Sequence, residues 1–142
     1  MSYDLMVFDP ATAPSSRPEF LSWYRQQIEW SEGHSYDDPA VTTPELRHWY
    51  QAMIADFPPM NGPDRSDDEN DLRVSDYTVG RFVIYVCFAW SQAESAYETA
   101  RRIAEMTGVG FFDASGDNME IWLPDGKAAA KPSFWRRLFS PF

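Results

Sequence analysis

Few side chains in this sequence are suited to covalent or metal chemistry. One cysteine, Cys87, stands among 142 residues, which excludes an internal disulfide and a cysteine-built zinc cluster and suits a reducing compartment. Two histidines, His34 and His48, are the only side chains that ordinarily titrate near neutrality. Neither Gly-x-x-x-x-Gly-Lys-Ser/Thr nor Gly-x-Ser-x-Gly occurs, and Gly108-Val109-Gly110 follows an expected helix and precedes an expected strand, the reverse of a dinucleotide fingerprint. No cofactor is implied. The longest apolar run, Phe82 to Trp90, is far shorter than the roughly 20 residues that span a bilayer. Met1-Ser2-Tyr3-Asp4 opens with neither a basic residue nor a leader-length apolar stretch, so a cytoplasmic location is expected. Basic residues are scarce as well: 12 Lys and Arg stand against 22 Asp and Glu, a net charge of −10. That field repels phosphate backbones and anionic lipid, which makes nucleic acid and acidic membranes poor partners.

What the chain does contain is an ordered alternation of strand and helix signals. Tyr3-Asp4-Leu5-Met6-Val7-Phe8-Asp9, stopped by Pro10, reads as a buried strand. Ser16 with Glu19 forms a capping box, and Phe20, Trp23, Tyr24 and Ile28 place an aromatic stripe on a first helix ending near Gly33. A second helix starts at Thr42 or Thr43 with Pro44 in its first turn. Its stripe is the cleanest in the chain, with Leu46, Trp49, Tyr50, Met53, Ile54 and Phe57 at i, i+3, i+4, i+7, i+8 and i+11. Pro58-Pro59 ends it and opens a long, acidic, mobile surface loop to Ser75. Tyr77-Thr78-Val79 and Phe82 to Ala89 are strands or one bent strand about Gly80-Arg81. Ser91-Gln92-Ala93-Glu94 is a second capping box, Ala93, Ala96, Tyr97, Ala100, Ile103 and Ala104 the stripe of a third helix, and Gly108 its stop. Val109 to Ala114 and Met119 to Leu123 close the order with a hairpin through Ser115-Gly116-Asp117-Asn118.

The expected order is β-α-α-β-β-α-β-β, an α+β fold. It implies a mostly antiparallel sheet of about five strands with three helices on one face, a ferredoxin-like core with one added strand. Residues 1–125 form a single domain of a size that needs one core, and 126–142 a basic aromatic C-terminal tail. The division is also one of charge: residues 1–125 carry all 22 acidic side chains against eight basic ones, a balance of −14, and the tail carries four basic ones and no acid. Phe134-Trp135-Arg136-Arg137-Leu138-Phe139 in that tail suits folding back on the acidic domain, weak membrane contact or docking into a partner.

The candidate sites for chemistry are thin. Glu45 and His48 share a helix face at i, i+3, but no second Glu-x-x-His pair exists to complete a di-metal set. His34 with Asp37 and Asp38 has the composition of a turn. Asp64-Arg65-Ser66-Asp67-Asp68-Glu69-Asn70-Asp71 lacks the central glycine and spacing of a calcium loop, and reads instead as an anionic patch with reach toward a basic protein surface. Cys87 sits in the most apolar strand, where a thiol is an unreactive small hydrophobe. No residue is nominated as catalytic or metal-binding, and an enzyme is not expected.

Aromatics make up 16% of the chain, more than the helix stripes and short strands need. Trp30, Tyr36, Trp90 and Trp122 fall at element ends or in loops, where a ring with one wet side serves as an interface anchor. With Asp64, Asp67, Asp68, Glu69 and Asp71 they form the expected partner-binding set: charge for steering, rings for residence time.

Tyr3 to Pro10, Phe57-Pro58-Pro59-Met60-Asn61-Gly62-Pro63, Val83 to Ala100 and Gly108 to Gly116 resemble segments of a family of short, stand-alone bacterial proteins of unassigned function. The resemblance covers most of residues 3–124 and brings no catalytic motif. By type, in its size, acidity and lack of chemistry, the chain is similar to the immunity proteins that bacteria keep in the cytoplasm against toxins delivered by neighbours. The resemblance implies a cytoplasmic inhibitor that occludes the active site of a bacterial toxin domain. The alternatives are a small enzyme or ligand-binding domain with a cleft near Trp49, His48 and Asn61-Gly62, and a sheet-mediated homodimer.

Overall fold

The computed structural model describes residues 2–124; the basic aromatic tail lies outside the described residues. In chain order the elements are β1 (Ser2–Phe8), α1 (Arg17–Gln27), α2 (Pro44–Asp56), β2 (Asp76–Val79), β3 (Val83–Ala89), α3 (Ala93–Thr107), β4 (Gly110–Phe112) and β5 (Ile121–Trp122). They form one α+β unit with a five-stranded sheet in the order β2-β3-β1-β4-β5, every neighbouring pair antiparallel. The first four strands take the ferredoxin-like order expected from the sequence, and β5 is added at the edge beside β4. Gly80 and Val83 bracket a tight turn, the Gly80 N–H donating to Val83 O at 2.9 Å, so 77–89 is a hairpin rather than one bent strand.

The sheet is covered on both faces, which differs from the expected placement of all three helices on one. Leu5 and Val7 join a cluster with α2 and α3 through Leu46, Trp49, Met53, Ala96, Ala100 and Ala104. Met6 and Phe8, pointing the other way from the same strand, meet Phe20, Trp23 and Tyr24 of α1 together with Val83 and Phe112. Burying both sides of β1 explains why Leu5, Met6, Val7 and Phe8 are all fully buried, and why the strand reads as a continuous apolar run rather than an alternation. Much of the aromatic excess is taken up here, since two cores must be filled: Phe20 packs 4.9 Å from Phe8 and 5.2 Å from Phe112 between ring centres.

Two of the three helix starts follow from the sequence. Ser16 caps α1, its hydroxyl accepting the Glu19 N–H and donating to the Glu19 carboxylate at 2.8 Å. Thr43 caps α2 with Pro44 at the first position, and Leu46, Trp49, Tyr50 and Met53 are buried. The indole Nε1 of Trp49 donates to Ala100 O of α3 at 3.1 Å, which satisfies a buried donor and pins the two helices together. The box expected at Ser91 does not form: a 3₁₀ turn, Trp90–Gln92, runs directly into α3, and Gln92 makes no side-chain cap. Gly108 ends α3 in the left-handed conformation, φ 78°, as its position predicts. The first helix stops at Gln27, earlier than Gly33, and Trp30 takes a left-handed φ of 53° just beyond it.

The 58–75 segment is a loop, as expected, but its base is tied down. Pro59 and Ser75 form a parallel bridge, Ser75 N–H donates to Pro58 O at 2.8 Å, and Met60 N–H donates to Ser75 O at 2.9 Å. Its C-terminal end is held as well by Arg73, which lies over the Phe57 ring at 4.6 Å and donates to Ser95 Oγ of α3 at 3.1 Å.

Candidate functional site

Of the four rings at element ends, only Trp90 presents most of its surface to solvent, at 53% exposure. It is held edge-on by Tyr3, with ring centres 6.3 Å apart, and Tyr3 is stacked on Phe88 at 6.2 Å. Phe88 in turn meets Phe57 at 5.2 Å, so an unbroken series of rings runs from the core to Trp90. The Tyr3 hydroxyl donates to Asp113 Oδ1 at 2.7 Å, which fixes the ring that supports the indole. Burial and that carboxylate push the Tyr3 phenol far above its ordinary range, so it remains a donor at any physiological pH.

The C-terminal end of the acidic loop is tied to the helix that follows this ring. Arg73 stands two residues beyond Asp71 and reaches Ser95 in the first turn of α3; Trp90 sits in the 3₁₀ turn that feeds the same helix. The end of the loop and Trp90 therefore share the N-terminal end of α3, with Leu72, 63% exposed, on the loop side. Asp64, Asp67, Asp68 and Glu69 are exposed and Asp71 half-buried, the last accepting the Arg73 N–H at 2.9 Å. At the other end of the loop Gly62 packs on the Asp37 backbone, where a Cβ would overlap the Asp37 carbonyl. That contact brings Asp64, Asp37 and Asp38 near Tyr50, whose phenol is pushed up to about 12 by burial and by Asp64.

The other three rings are largely committed to the fold. Trp30 and Tyr36 meet at 5.3 Å, and Trp30 also packs on Tyr85 at 6.4 Å and on the α1-side core. Trp122 packs against the α2/α3 core, with the Arg101 guanidinium over its ring at 5.6 Å. Around Trp122 lies a set of residues that nothing in the sequence connects with it. Tyr97 donates to Glu120 at 2.6 Å, Arg101 stands 3.8 Å from the same carboxylate, and Phe111 lies 5.4 Å from Tyr97. These partners come together only through the α3–β4–β5 packing, so no local spacing announces them.

Cys87 and Tyr85 are held in their protonated forms at neutral pH. Cys87 is pushed up to about 12 by burial and by Asp4, its register partner on β1, with Asp76 on the other side. Tyr85 donates to Asp4 Oδ2 at 2.8 Å, and burial with that bond raises its phenol well out of range. His34 has an acceptor at both ring nitrogens, Ser35 O at 2.8 Å and Glu32 Oε1 at 2.5 Å, and these bonds raise its pKa. Asp37 accepts the Ser35 hydroxyl and Asp38 caps the 3₁₀ turn Pro39–Val41, so both act as turn residues rather than as partners of His34. Glu45 and His48 are exposed on α2. Trp49 is fully buried, its indole bonded to α3. Among the described residues no cluster of three His, Cys, Asp or Glu side chains has metal-binding geometry, and no helix is long and apolar enough to cross a membrane. No family model, no curated protein and no solved structure matches the chain.

Proposed function

We propose that the chain is a protein-binding inhibitor, an immunity protein that neutralises a bacterial toxin domain by covering its active site. The observation that carries this reading is Trp90, an exposed indole held by Tyr3 just before α3, the helix to whose first turn Arg73 ties the acidic loop. A ring held in place before contact loses little entropy on binding, which favours its use as an anchor. The five carboxylates between Asp64 and Asp71 stand on a loop whose base is fixed, four of them exposed, and such a density of negative charge suits a basic partner surface. A cytoplasmic location belongs to the same reading.

The experiment is co-purification of the full chain with the products of the genes encoded beside its own. A complex of fixed stoichiometry with a toxin domain supports the proposal, and failure to form one with any neighbouring product contradicts it.

A further inference from the structure

A second cluster, apart from Trp90 and the acidic loop, joins the segment after α1 to the turn between β2 and β3. His34 Nδ1 faces Ser35 O and Nε2 faces Glu32 Oε1, and both of these oxygens only accept. A neutral imidazole carries one N–H, so one nitrogen would be set lone pair against lone pair; the imidazolium alone donates to both. Glu32 Oε1 also accepts the Arg81 N–H at 3.0 Å, so one carboxylate oxygen bridges the ring and the β-turn. The second strut is the Val79 N–H of the outer strand β2, which donates to Tyr36 O at 2.7 Å. Tyr36 is in turn set by His34, with ring centres 4.6 Å apart, and by the Glu32 N–H on its hydroxyl.

We infer that His34 is a proton-operated bolt: as the imidazolium it fastens residues 29–38 to the β2–β3 hairpin, and loss of its proton frees that loop and uncovers the edge of β2. The groups facing the ring act in opposite senses. The Ser35 carbonyl and Glu32 favour the charged form, while the Arg81 guanidinium and the partial burial of the ring oppose it. The ring is 18% exposed and Glu32 22%, so the pair is sheltered yet open to proton exchange. The loop leaves α1 through Trp30 in the left-handed region, an unfavourable conformation for a bulky residue that persists only while its surroundings hold it. Because the folded ring binds its proton more tightly than the free one, the bolt is fully set below the ordinary pKa of 6.5. It is released as pH rises through the higher folded value.

The test is amide exchange of Val79 and Arg81 in the full chain between pH 6 and 8.5, corrected for the intrinsic base-catalysed rate. The two amides are expected to lose protection together, in step with the NMR titration of the His34 ring. The loss is about tenfold for each unit by which the folded pKa exceeds that of the free ring. In His34→Gln both amides exchange fast at either pH while the central-strand amide of Val86 keeps its protection. Unchanged protection of Val79 and Arg81 across the range overturns the inference. So does a folded His34 ring that titrates at or below 6.5, a reading on the wild-type chain that stands even if the variant fails to fold.

Discussion

The ring of Phe8 lies on the bare Cα of Gly110, its register partner across β1 and β4, and a Cβ at that position would overlap the ring. The glycine is thus a seat for the aromatic that ties the sheet to α1, since Phe8 also meets Phe20 and Trp23. Gly110→Ala is expected to destabilise the fold by about 1–3 kcal/mol through overpacking. In urea unfolding the midpoint falls with an unchanged slope; a midpoint equal to the wild type shows that the ring is free to move aside.

Six of the seven tyrosines, Tyr3, Tyr24, Tyr50, Tyr77, Tyr85 and Tyr97, have phenols raised above the ordinary value of 10, in five of them chiefly by burial and in Tyr97 chiefly by its bond to Glu120. Their protons are held more tightly in the folded than in the unfolded chain, so their contribution is complete below pH 10 and is lost as pH rises above it. Stability is therefore expected to decline steeply above pH 10, with most phenolate absorbance at 295 nm developing at the unfolding transition. Gradual ionisation of most tyrosines in a chain that stays folded contradicts this.

Cys87 is expected to be nearly inert. Raising its thiol from 9.0 to about 12 lowers the thiolate population at pH 8 by about a thousandfold, because Asp4 and Asp76 flank it and the strand shields it. Its reaction with a disulfide reagent should be slower than in urea-unfolded protein by about that factor. Equal rates in the two states rule out the burial described here.

The helix starts at Ser16 and Thr43, the stop at Gly108, and the strand order were legible because each rests on neighbours in sequence or on the short connections between elements. The face taken by α1 was not, since the stripe Phe20, Trp23, Tyr24 says that one side is buried without saying against which side of the sheet. The signal lay in β1, whose four successive buried residues mark a strand covered twice. Of the site, the exposed Trp90 and the acidic loop were visible as types of residue. Their shared position at the start of α3 depends on Arg73 and Ser95, and the support for Trp90 depends on Tyr3 and Asp113, 110 residues apart. His34 and Glu32 are two residues apart, yet what gives them meaning is Arg81, across the fold.

Charge and ring are expected to act on different rate constants. Reversing Asp67, Asp68 and Glu69 to lysine should slow association with the toxin domain by about tenfold or more at low salt, with the difference shrinking as ionic strength rises. Trp90→Ala should leave association nearly unchanged and speed dissociation by about 30-fold or more, the loss of roughly 2 kcal/mol typical of a central anchor. Stopped-flow mixing separates the two; a triple variant that associates as fast as wild type at low salt removes the loop from the interface.

The most direct measurement is the catalytic activity of the toxin domain encoded beside this chain, titrated with the full-length protein. Activity is expected to fall linearly and to vanish at one equivalent, as it must if the chain covers the active site. Undiminished activity in the presence of excess protein contradicts the account.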